Sequence, residues 1–151
     1  MIIVDTREKK ISHILKQFTE CGEDFVIKTI DTADFYEDSN PLLRIDRKQN
    51  LNEIASNLCT KDRERFRREC QRAKDKGIKI IFLIESSGYS TLEDVKRWQS
   101  PFSKINGKYL FSEMRKIQIV YKHEFKFCSK ANTGRTIISI LRSGDDDKRT
   151  D

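Results

Sequence analysis

Short apolar runs alternate along this chain with segments whose apolar residues recur every three or four positions, a pattern that predicts strands interleaved with helices. Ile2-Ile3-Val4 is too brief for a helix and ends at Asp5, which predicts a buried strand. Ile11, Ile14, Leu15 and Phe18 share one helical face over Ser12 to Cys21, and Gly22 follows as a residue that tolerates a left-handed helix end. Phe25 to Ile30 and Leu42 to Arg47 read as strands, separated by a polar stretch, Tyr36 to Pro41, that reads as a hairpin loop. Asn50 is placed to cap a short helix bearing the stripe Leu51, Ile54, Ala55 and Leu58, and a second helix runs from about Lys61 to Lys76, stopped by Gly77. Ile78 to Ile84 is the most apolar run and predicts the central strand, covered on both faces. Ser90-Thr91-Leu92-Glu93 has the form of a capping box and predicts a helix to Trp98. Tyr109 to Ile117 predicts another helix, Ile119 to Phe127 a strand and Asn132 to Leu141 a closing helix.

Strands interleaved with helices imply an α/β architecture with a central mixed β-sheet and helices on both faces. A length of 151 residues fits a single domain, expected over 1–143, followed by a disordered polar tail at 144–151. The net charge of +6 favours an anionic partner, nucleic acid or a membrane surface, without choosing between them. No run approaches the roughly 18 apolar residues of a spanning helix, and Met1-Ile2-Ile3-Val4-Asp5 lacks the basic start and apolar core of a signal peptide. The expected setting is intracellular, cytoplasmic or nucleoid-associated, or a host cell for a phage-encoded chain. Cys21, Cys59, Cys70 and Cys128 are scattered, without metal-ligand spacing, and read as reduced, mostly buried thiols. Neither a dinucleotide fingerprint nor a P-loop is present, and His13 and His123 have no neighbouring nucleophile pattern.

The informative stretch is Asp34-Phe35 followed by Leu43-Arg44-Ile45-Asp46-Arg47-Lys48. On a strand, Asp46 and Lys48 share one face while Ile45 and Arg47 share the other. A strand folding back antiparallel would bring Asp34 beside Asp46, so that two carboxylates and a lysine converge. Such a set suits hydrolysis of a phosphodiester assisted by Mg²⁺, which takes one or two protein carboxylates and leaves positions for water and phosphate. Read bare, an Asp-x-Lys on a strand is more often a surface ion pair.

Val4-Asp5-Thr6-Arg7-Glu8, Asp34-Phe35 and Ile45-Asp46-Arg47-Lys48, followed by the helix Leu51-Asn52-Glu53-Ile54, together resemble the XPF-type nuclease domain of the PD-(D/E)XK superfamily. The resemblance continues through the basic segment Arg63 to Arg72, the run Ile78 to Glu85 and the closing Thr133-Gly134-Arg135, and so covers nearly the whole chain in order. It implies a restriction-endonuclease-like core. It also implies that Asp34 and Asp46 ligate Mg²⁺, with Mn²⁺ as a substitute, that Lys48 is the catalytic lysine, and that Arg47 braces the site or contacts phosphate. Asp5, Arg7 and Glu8 would line the same cleft, with Asp5 foremost in touching the metal or its waters. The chain departs from the family pattern at Ala33, where the family has Gly, at Asp46, where it usually has Glu, and at Asn52, where it has Asp. Glu53 lies next to Asn52, and the fourth acidic position stays open between the two.

The basic segment carries Arg63, Arg67 and Arg68 among spaced acids, which reads either as a solvated helix with ion pairs such as Glu64 with Arg68 or as a phosphate-contacting face. The function implied is a metal-dependent DNA endonuclease, selective for branched, flap or forked DNA. The alternative is a catalytically silent DNA-binding or scaffold domain of the same fold. The chain ends before any helix-hairpin-helix module, which implies that it cuts alone, forms a homodimer, or relies on an accessory DNA-targeting subunit.

Overall fold

The structure, a computed structural model, describes residues 1–150, with side chains through Ser143. The elements are β1 (Ile2–Asp5), α1 (Ser12–Glu20), β2 (Phe25–Lys28), β3 (Phe35–Glu37), β4 (Asn40–Lys48), α2 (Leu51–Leu58), α3 (Arg63–Asp75), β5 (Lys79–Glu85), α4 (Gly107–Tyr121), β6 (Glu124–Cys128) and α5 (Thr133–Thr150). Short 3₁₀ turns at Leu92–Arg97 and Lys130–Asn132 complete the chain. The tail expected to be disordered, 144–151, has side chains that lie outside the described residues, as does the whole of Asp151.

The strands form one mixed sheet in the order β2-β1-β3-β4-β5-β6, antiparallel at β1–β3 and β3–β4 and parallel elsewhere. The alternation of β5 explains how both faces are filled. Ile80, Phe82 and Ile84 pack with α2, α3 and α4, while Ile81 and Leu83 pack with α1 and α5. Helices therefore cover both faces of β5, as expected, although it lies one strand in from the edge and not at the centre of the sheet, and the whole is the restriction-endonuclease-like core that the sequence implied. Gly134, at the start of α5, lets that helix lie directly on α1: a Cβ there would fall 2.6 Å from Cβ of Gln17.

Five local expectations are corrected. Tyr36 and Glu37, expected in a loop, belong to β3, which is flanked by β1 and β4 and turns at Asp38-Ser39, while the expected strand Phe25 to Ile30 stops at Lys28. Ile119 to Tyr121 end α4 instead of starting a strand, because Lys122 takes a left-handed conformation (φ 64°) and caps the helix; Ile119 and Val120 are exposed. The segment after Ser90 forms a 3₁₀ turn, and its cap acid is Asp94, not Glu93: the Asp94 carboxylate accepts from the N–H groups of Ser90 and Thr91. All four cysteines are free, but only Cys70 is buried, and Cys21 is exposed. Among the described residues, no helix is long and apolar enough to cross a membrane.

Candidate active site

The C-terminal half of β4 presents Asp46 and Lys48 on the sheet face covered by α2 and α3, and Arg47 on the other. Pairing of Phe35 with Ile45 sets Asp34, the residue before β3, opposite Asp46. Asp34 is fixed there by its backbone and its side chain. Its N–H donates to the carbonyl of Ile45, its carbonyl accepts from the N–H of Asp5, and Oδ2 of its carboxylate accepts from the N–H of Arg47 at 2.9 Å. The residue before it, Ala33, is left-handed (φ 63°), which gives the family's glycine at this position a physical reason.

Asp34 and Asp46 open onto a cleft of about 400 Å³ lined by Asp5, Glu8, Asp34 and Asp46 on the sheet side and by Phe66, Glu69 and Arg72 of α3 opposite. Lys48 Nζ lies 3.6 Å from Asp46 Oδ1, 3.9 Å from Glu53 Oε1 and 5.7 Å from the centre of the Phe66 ring. Burial pulls the Lys48 pKa down, but the charges of Asp46, Glu53, Asp34 and Glu69 outweigh it and leave the ammonium more basic than usual. Asp34 is the reverse case. Burial first, then the charges of Asp46 and Glu8, push its carboxyl well above the ordinary range, and the hydrogen bond from Arg47 offsets only part of this.

The remaining sequence candidates divide. Asp5 is buried, with its carboxylate taken by Arg7 Nε at 3.2 Å and by the N–H of Ile30. The guanidinium of Arg7 also donates to the carbonyl of Ile30, and its side chain is 65% exposed at the cleft mouth. Glu8 accepts through Oε1 from the N–H of Lys9 and lies 3.5 Å from Arg47, while its Oε2 is buried without a hydrogen-bond partner. Arg47 does not reach the cleft. Its buried guanidinium pairs with Glu85 and Glu8 and donates to the carbonyl of Lys9. At the fourth acidic position the structure brings Glu53 to Lys48, with its other oxygen accepting from the N–H of Gln49; Asn52 is half-buried on the first turn of α2.

On α3, Arg67 faces α4 and pairs with the buried Glu113 at 3.1 Å, whereas Arg68 is exposed and Arg63 is half-buried. Glu69 and Arg72, which line the cleft, were missed because charged residues on a polar helix look alike until its packing is known. Among the described residues no group of three or more His, Cys, Asp or Glu is arranged to hold an ion. Asp34 and Asp46 converge, and Asp5 is engaged by Arg7.

Fold and site together define a restriction-endonuclease-like α/β domain with acids and a lysine at the end of a sheet strand. Residues 4–140 match the family model described as "ERCC4 domain", and the chain belongs to that family, with the fold of an XPF-type nuclease domain. The structure is similar to XPF from Aeropyrum pernix, with a TM-score of 0.71 and 17% sequence identity over 99% of this chain and 68% of that one. It is equally similar to XPF from Aeropyrum pernix in complex with DNA, with a TM-score of 0.72 and 16% identity over 96% of this chain and 64% of that one. The chain thus spans about two thirds of the length of these relatives. No curated protein matches its sequence.

Proposed function

We propose that this chain is a DNA endonuclease that hydrolyses phosphodiester bonds with a divalent cation, Mg²⁺ or Mn²⁺ in its place, and selects branched, flap or forked DNA. The observation that carries the reading is the meeting of Asp34 and Asp46 in one cleft of an ERCC4-family domain, with Lys48 Nζ 3.6 Å from Asp46 Oδ1. The donors fit a hard cation: all are carboxylate oxygens, and Asp34 is held above its ordinary pKa by burial and by the nearby carboxylates of Asp46 and Glu8, a crowding of negative charge that a cation would relieve. Asp34 and Asp46 would hold the ion, with Glu8 beside them. When bound, it supplies a more acidic water and withdraws charge from the phosphorus.

The chain's own groups do the rest. Lys48, kept protonated by its acidic neighbours, serves as a fixed cation for the negative charge that builds on the phosphate, and not as a general base. Arg7 and Arg72 stand at the cleft to receive phosphates, and Arg47 braces the strand end from behind. A second copy of the chain or an accessory DNA-targeting subunit would add grip on the branch. The test is cleavage of labelled single-stranded, duplex, flap and forked DNA with Mg²⁺ or Mn²⁺. Cutting of flap or fork ahead of plain duplex supports the reading, and equal cutting of all four removes the selectivity. Asn52, and the lack of a three-ligand cluster among the described residues, favour the second reading, a silent DNA-binding or scaffold domain. DNA binding without cutting under every condition would establish it.

A further inference from the structure

On the face of the sheet away from the cleft, Glu85 ends β5 at the centre of a buried polar cluster. Its Oε1 accepts from Arg47 Nη1, and its Oε2 meets Thr133 Oγ1 at 2.6 Å and His13 Nε2 at 2.8 Å. Burial would push this carboxyl up, but the bonds from Thr133, His13 and Arg47 outweigh it and hold it below the usual range, so Glu85 is a buried anion. Neither His13 nor Thr133 lines the cleft. Arg47 connects the two sides: its side chain pairs with Glu85 and with Glu8, and its N–H holds Asp34.

We propose that Glu85 is a positioning residue that acts through Arg47 to hold Glu8 and Asp34 in cation-binding geometry. The inference rests on the nuclease reading for the use made of the cleft. The physical reason is competition for one guanidinium. Glu85 and Glu8 share Arg47, and Glu85 takes the closer contact, which leaves Glu8 at 3.5 Å from the guanidinium and within hydrogen-bonding reach of Asp34. With Glu85 neutral, the whole charge of Arg47 falls to Glu8, which turns toward it and is neutralised as a cleft anion. Partners that orient metal-holding groups from behind typically change metal affinity by about 10–100-fold when removed.

The test compares the parent with Glu85→Gln, which keeps the size and the bond to Thr133, and with Thr133→Val, which removes a partner of Glu85 but leaves its pair with Arg47. Three readouts are needed: Mn²⁺ affinity by titration calorimetry, the ¹³C shift of the Glu8 carboxyl in metal-free protein, and the split of kcat and KM on flap DNA. The expected result is a folded Glu85→Gln protein with Mn²⁺ binding weakened about tenfold, a displaced Glu8 signal, and a lower kcat at unchanged KM, while Thr133→Val stays near the parent in all three. An unmoved Glu8 signal with parental Mn²⁺ affinity in folded Glu85→Gln overturns the proposal, as does equal weakening by Thr133→Val. A parent that cuts nothing, while Glu85→Gln still displaces Glu8 and weakens Mn²⁺ binding, overturns the nuclease reading and supports the positioning role.

Discussion

The backbone N–H of Arg47 donates to the carboxylate of Asp34 at 2.9 Å, so the strand that carries Asp46 and Lys48 also orients the acid opposite them. This bond offsets only part of what burial and the charges of Asp46 and Glu8 cost the Asp34 carboxylate. The folded-state pKa of Asp34 is therefore raised, and its ionisation works against folding as pH rises above the unfolded carboxyl value. Asp34→Asn keeps an acceptor for Arg47 and removes the charge. The variant should melt higher than the parent at neutral pH, by about 2–4 °C for each kcal/mol relieved, and should lose cleavage. Mn²⁺ should raise the melting temperature of the parent and not that of the variant. A variant that melts lower at neutral pH contradicts this account of the site.

Ala33 predicts a stabilising substitution. A non-glycine residue at φ 63° carries a steric cost that glycine avoids, partly offset by the greater freedom of glycine in the unfolded chain. Ala33→Gly should stabilise by about 0.5–1 kcal/mol in urea unfolding. A destabilised variant would show that the strain is relieved in some other way.

At Gly134 the sign reverses. A Cβ there meets Gln17 at 2.6 Å and the Ile14 carbonyl at 2.9 Å, and Gln17 is held by bonds to Ala131 and Arg135 that limit its retreat. Gly134→Ala should destabilise by about 1–3 kcal/mol through overpacking of α1 against α5. Chemical denaturation reads this directly, and a neutral substitution would mean that the two helices separate easily.

His123 is buried in its neutral form, with Nδ1 accepting from the N–H of Ile80 at 3.0 Å and Nε2 bonded to the carbonyl of Cys70 at 2.9 Å. Burial, with Lys74 and Lys79 adding to it, lowers its pKa against the opposing bond to Cys70. The unfolded chain therefore takes up a proton that the folded chain refuses. Stability should be unaffected by this group above about pH 6.5 and should fall as pH drops from there through the lowered folded value. His123→Asn should be less stable throughout and show a shallower loss between pH 7 and pH 5 by urea unfolding. An unchanged slope would remove His123 from the pH response.

Arg67 and Arg68 of α3 should separate in DNA-binding titrations across salt concentration. Arg68 is exposed, so Arg68→Ala should weaken binding and reduce the salt dependence, whereas Arg67→Ala should mainly lower stability by leaving the buried Glu113 with only Lys116 at 3.3 Å. Affinity that stays flat as salt rises would contradict a phosphate-contacting face.

What was legible in the sequence were features with a short physical period. The alternation along β4 put Asp46 and Lys48 on one face, and the fold-back that brings Asp34 to Asp46 needs only a tight hairpin. β3 was hidden because its Tyr36-Glu37 is polar; Glu37 is buried through its pairs with the N-terminal amine and Arg142, which lie far away in sequence. The end of α4 was misread because Ile119 and Val120 favour strands locally, while the helix is anchored by Leu110, Met114 and Ile117 in the core. Within the site, the roles of Arg47 and Glu53 stay open in the sequence because their partners, Glu85 for Arg47 and the N–H of Gln49 for Glu53, depend on packing and turn geometry that spacing does not carry.

The central claim is that Asp34, Asp46 and Lys48 form a cleaving centre. Its most direct test compares the parent with Lys48→Ala on labelled flap DNA in Mg²⁺ or Mn²⁺, with DNA binding measured alongside. The account predicts metal-dependent cutting by the parent and a loss of at least about 100-fold in the variant, the scale of removing one group that stabilises developing charge, with binding retained. Cutting by Lys48→Ala at the parental rate, or by the parent without a divalent cation, would contradict it.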